Sequence, residues 1–130
     1  MIGSIIVLPL ALEVSQDIQP SSAVLYQSCS HLIEYWTQGI LHQDANLCTL
    51  TVLSERVLDH AKSPGQPIGP QELPASFCPP RAAEFHIENP LPAVHVYVRY
   101  MQDNNLVGIT EDDGVATMVS ALIHAWPCSR

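Results

Sequence analysis

Three alternate residues, His95, Tyr97 and Arg99, bring an imidazole, a phenol and a guanidinium to a spacing of two. On a strand they share one sheet face, because strand side chains alternate. A guanidinium there can fork onto a carboxylate while the phenol donates to it, so the ligand of such a face is anionic. The competing reading is a polar, solvated face of a half-buried antiparallel strand.

Other chemistry is less supported. His86-Ile87-Glu88 has the HxE form used by zinc deaminases, but that chemistry also needs a PCxxC pair downstream. Only Pro127-Cys128 follows, with no second cysteine. An ion pair between His86 and Glu88 on one strand face is the simpler meaning. Six histidines and four cysteines show no HxxxH, HExxH or CxxC spacing, so no metal site is expected. There is no GxSxG elbow, GxGxxG turn or GxxxxGK[ST] loop. No catalytic residue and no cofactor are therefore expected.

The 130 residues fit one domain spanning the whole chain, and 47% hydrophobic content excludes a wholly disordered chain. Net charge is −8, from 13 Asp+Glu against 5 Lys+Arg, with Lys62 the only lysine. Phosphate-tracking surfaces need clustered cations, so nucleic acid and anionic membranes are not expected partners. Cys29, Cys48, Cys78 and Cys128 match no small disulfide framework, and so apolar a chain does not require bridges. Reduced thiols in a cytoplasmic protein are the expectation. The apolar run Ile2–Leu12 is too short to span a bilayer and lacks a basic flank, so it reads as a buried first strand; a secretory signal is the alternative.

The elements that would position these residues follow from periodicity. Residues 4–14 read as a strand interrupted by Pro9. Pro20-Ser21-Ser22 opens a helix with a serine N-cap, and Leu25, Cys29, Leu32, Ile33, Trp36 and Ile40 form its apolar stripe. Gly39 weakens its last turn. Residues 47–53 read as a strand followed by a helical turn capped by Ser54; one helix over 46–61 is the alternative. Prolines crowd residues 62–81, which predicts a long irregular loop. Strands are expected at 83–88, at 94–101 and at 106–110, the last two joined by a turn at Asp103-Asn104-Asn105. A final helix begins at Asp112-Asp113-Gly114 and stops at Pro127. The order β-α-β-loop-β-β-β-α predicts an α+β two-layer sandwich, a mostly antiparallel sheet with two main helices packed on it.

The final helix carries no formal charge from Gly114 to Ser129. Val115, Met118, Val119, Leu122 and Trp126 take one side, and Ile123 lies partly away from it. That exceeds what one small sheet buries, unless the proline-rich loop, with Leu73 and Phe77, folds back over it. These residues, with Trp36, are the expected interface to a protein partner or a second copy of the chain. The function expected is an acidic protein-interaction module: an adaptor, an inhibitor or immunity-type protein, or a subunit of a constitutive complex. The alternative is a small ligand-binding domain or enzyme using His95, Tyr97 and Arg99.

Val94-His95-Val96-Tyr97-Val98-Arg99, then Asn105-Leu106-Val107-Gly108-Ile109-Thr110 and a helix, is similar to the end of a longin-type domain. The resemblance covers about thirty residues of a common strand-turn-strand-helix pattern. It implies a helix against an antiparallel sheet and a role in trafficking.

Overall fold

The computed structural model describes residues 20–62, 68–80, 89–108 and 113–128. Five helices, numbered here in chain order, carry the described architecture: α1 Ser22–Gln38, α2 Ala45–Val52, α3 Glu55–Leu58, α4 Leu91–Asp103 and α5 Gly114–Ala125. A 3-10 turn occupies Leu73–Ala75. Helix α1 packs against α2, α4 and α5, and α4 packs against α5.

Helix α1 starts where its sequence says it should. Ser21 caps it, its hydroxyl accepting from the Val24 N–H at 3.3 Å. Gly39 ends it in the left-handed conformation (φ +74°), donating to the Tyr35 carbonyl at 3.0 Å. Leu25, Ser28, Cys29 and Leu32 form the buried stripe, whereas Trp36 and Ile40 lie beyond the covered length and are exposed. Helix α5 is capped by Asp113, whose carboxylate accepts from the Val115 N–H at 3.0 Å.

The expected α+β sandwich does not form. Among the described residues there is no sheet, only isolated bridges, and most of those residues are helical. Residues 47–53, expected as a strand, lie mainly in α2, and Ser54 separates it from α3. Residues 94–101, expected as the clearest strand, are inside α4. Their β-branched alternation is overruled by burial at helical spacing: Ala93, Val94, Tyr97 and Met101 all face the core. Pro92 sits in the first turn of α4, where an amide has no intrahelical partner to lose. The turn after α4 is where it was expected, with Asn105 at φ +56°. Residues 106–108, expected to open a returning strand, show no strand. The longin resemblance needs the sheet and loses its basis. The strands expected at 4–14 and 83–88 lie outside the described residues.

The cysteines also depart from expectation. Cys29 is bonded to Cys48 and Cys78 to Cys128, with Cα separations of 4.9 and 5.0 Å. The reduced-thiol reading is therefore corrected. Packing α1 on α2 places two buried cysteines face to face, a proximity that linear spacing does not display.

The proline-rich stretch folds back over the helices. Phe77 is fully buried in the core and its ring meets that of Trp126. Its backbone is held on both sides: the Phe77 N–H donates to the His60 carbonyl and the Lys62 N–H to the Phe77 carbonyl, both at 2.9 Å. The next amide, of Cys78, donates to the Trp126 carbonyl at 2.8 Å. This strap lies against Trp126 and Pro127, the residues that follow α5. Among the described residues no helix is long and apolar enough to cross a membrane.

Candidate functional site

On a helix, residues two apart point to different sides, so the His95/Tyr97/Arg99 trio is split. His95 and Arg99 share the exposed face of α4 and border a shallow groove with Gln102. Tyr97 points the other way, fully buried, and its hydroxyl donates to the Ser22 carbonyl at 3.0 Å. Burial pushes the Tyr97 phenol well above its ordinary value, because the phenolate would lose its water. It acts as a buttress between α4 and the start of α1. His86 and Glu88 lie outside the described residues.

The expected interface residues divide in the same way. Val115, Met118, Val119 and Leu122 are buried within the chain's own core. Ile123 and Trp126 are half-buried against it. Trp36 alone is open to an outside surface, at 56% exposure.

Around Trp36 the structure gathers a cluster that the sequence did not announce. All residues from Tyr35 to Leu41 are exposed, and four of them are large and apolar: Tyr35, Trp36, Ile40 and Leu41. The Tyr35 and Trp36 rings meet edge to face, with centroids 5.8 Å apart. After Gly39 the chain turns back along α1. The ring of His42 stacks on that of His31, with centroids 3.8 Å apart and planes within 10°. Each imidazole is held by a carboxylate. His31 Nδ1 lies 2.7 Å from Asp44 Oδ1, and His42 Nε2 lies 2.9 Å from Glu34 Oε1. Since a carboxylate only accepts, the imidazole N–H is the donor in both.

Beneath this cluster the hairpin is tied more deeply. The buried Ser28 hydroxyl donates to the Asp44 carbonyl and accepts from the Cys48 N–H at 2.8 Å. The Cys29–Cys48 bond lies beside it. Sequence reasoning missed His31, Glu34, His42 and Asp44. The available signal was local: His31 and Glu34 stand three apart on a helix, and a glycine stop is followed closely by His42 and Asp44.

Among the described residues no group of His, Cys, Asp and Glu is placed to hold a metal ion. The turn offers aromatic faces, aliphatic side chains and two partly exposed carboxylates. No protein-family model matches the chain, and no curated protein or solved structure matches it.

Proposed function

We propose that the chain is a protein-interaction module, working as an adaptor, an inhibitor or immunity-type protein, or a complex subunit, and that it meets its partner through the α1–α2 turn. The observation that carries this reading is the exposed run Tyr35–Leu41. Four large apolar side chains stay in water there while the core residues of α5 are covered by the chain itself. Exposed aromatic and aliphatic groups held on a rigid turn are the kind of feature that anchors interfaces. The alternative of a ligand-binding domain or enzyme using His95, Tyr97 and Arg99 is not favoured, since those side chains do not converge.

The compartment belongs to the same proposal. Cytoplasmic placement rested on reduced thiols. Two cystines favour an oxidising compartment, where such bonds persist.

The test is the mass of the intact complex recovered from the native host with a tagged chain, compared for wild type and Trp36→Glu/Leu41→Ser. Both positions are exposed, so the variant is expected to fold. Wild type should come as a defined complex and the variant as a free chain. Identical complexes for both, or a lone chain for both, refute the reading.

A further inference from the structure

The α1–α2 hairpin carries acids and no strong base. Between Pro20 and Ser54 the sequence holds Glu34 and Asp44 and not a single lysine or arginine. The first cation of the chain is Arg56, and Asp113 already holds it at 2.8 Å. The chain as a whole stands at −8.

Both hairpin carboxylates belong to the turn, because each holds one ring of the stacked His31–His42 pair. Their side chains remain 45% and 39% exposed. A carboxylate has about four acceptor sites, so one imidazole contact leaves room for further donors. Tyr35 lies one turn on from His31 and shares its face of α1, and the Trp36 ring meets Tyr35 edge to face. Aromatic faces attract guanidinium and ammonium groups lying within about 6 Å of the ring centre. Ile40 and Leu41 supply apolar cover of the kind that the methylene stems of Arg and Lys pack against.

The alternatives fit less well. An acidic partner would meet repulsion from the whole chain. A purely apolar partner would strip water from Glu34 and Asp44 without replacing it by counter-charge. We infer that the turn docks a basic amphipathic segment of a partner protein, with Arg or Lys side chains laid between the Tyr35 ring and the Glu34 and Asp44 carboxylates and its apolar side against Trp36, Ile40 and Leu41. This rests on the reading of the turn as the docking surface and adds the partner's chemistry to it.

The experiment follows the indole N–H resonance of Trp36 in the full, disulfide-bonded chain, assigned with Trp36→Phe. Three synthetic helical peptides are titrated, each with the same leucine face and with Arg, Gln or Glu on the other. The Arg peptide should shift Trp36 and bind at least about tenfold tighter than the Gln peptide, a difference of about 1.4 kcal/mol. That advantage should shrink in about 1 M salt, where the screening length falls to about 3 Å. It should also shrink in Glu34→Gln/Asp44→Asn, checked for retained fold by circular dichroism.

Equal binding of the Arg and Gln peptides at Trp36 overturns the basic-partner inference and leaves the docking surface standing. Preference for the Glu peptide does the same. No shift of Trp36 with any peptide overturns the inference. If the Trp36 signal instead moves with the chain's own concentration, and sedimentation gives twice the chain mass, the occupant is a second copy and the inference fails.

Discussion

Opening the two cystines should cost this protein a large part of its stability, by two different routes. Cys78 and Cys128 are separated by 50 residues, and Cys29 and Cys48 by 19. Loop-closure entropy assigns about 4 kcal/mol to the longer loop and about 3 kcal/mol to the shorter. The shorter loop has a second contribution, since Cys29 and Cys48 are both fully buried. Serine there would bury an unpartnered hydroxyl, so Cys29→Ala/Cys48→Ala is the cleaner variant. It removes two buried sulfurs, each worth about 1 kcal/mol of packing. The two variants should therefore be destabilised to a similar extent, about 4–5 kcal/mol each, against a usual total of about 5–15 kcal/mol. The spans do not overlap, so the effects should add, and a fully reduced chain should be marginal. In urea, with a slope of about 2 kcal/mol/M, Cys78→Ser/Cys128→Ser should lower the midpoint by about 2 M. The slope should also rise, because the uncrosslinked unfolded chain is more expanded. A midpoint within about 0.3 M of wild type, well inside the shift expected from loop entropy, would refute the reasoning. So would thiol titration of the denatured, unreduced protein that found four free thiols.

Gly114→Ala would place a Cβ 2.7 Å from the Pro20 carbonyl oxygen and 2.9 Å from that of Ser21, backbone atoms that the Gly114 N–H bond to Pro20 holds close. It should cost about 1–3 kcal/mol, read as a lower thermal midpoint; an unchanged midpoint contradicts that close approach. Ser28→Ala leaves the buried Cys48 N–H without its acceptor and should cost about 1–3 kcal/mol in chemical denaturation, with no loss predicted for the exposed Thr37→Ala. The raised Tyr97 phenol contributes stability that is complete below the unfolded value of about 10 and is lost as pH rises beyond it. Alkaline titration followed by absorbance should therefore show one tyrosine ionising only together with unfolding, and Tyr97→Phe should remove that step.

The starts of α1 and α5 were legible in the sequence and the sheet was a misreading, for one physical reason. Caps are local: Ser21 and Asp113 each act on backbone groups within a few residues, so their meaning does not depend on the rest of the fold, whereas Gly39, read only as weakening the last turn, ends α1 outright. The alternating valines at 94, 96 and 98 are not local in that sense. Both a strand and a helix could use them, and the decision falls to what they pack against. In α4 the spacing Ala93, Val94, Tyr97, Met101 fits a helical stripe, and the core formed with α1 and α5 selects it. The cystines were hidden for a similar reason. Cys29 read correctly as part of an apolar stripe, but its partner lies across a helix-helix contact 19 residues away. The apolar excess of α5 was visible. Its cover comes from packing on α1, α3 and α4, and the burial of Phe77 beside Trp126 depends on backbone bonds to His60, Lys62 and Trp126 that have no sequence signature.

Those same long-range ties explain how a short turn can keep four large apolar side chains in water. A loop free to rearrange would bury Trp36 and Leu41 against the nearest apolar surface, since each buried large side chain is worth about 1.5–3 kcal/mol. Here the turn has little freedom to do so. The Cys29–Cys48 bond fixes α1 to α2 below it, and Ser28 ties the Asp44 carbonyl and the Cys48 amide to one hydroxyl. The carboxylate-held imidazole stack closes the returning limb of the turn onto α1. Gly39 sets the direction of exit with a backbone conformation that other residues adopt only under strain. A surface pinned in this way loses little conformational entropy when another molecule covers it, so more of the contact energy of Trp36, Ile40 and Leu41 is available to hold a partner.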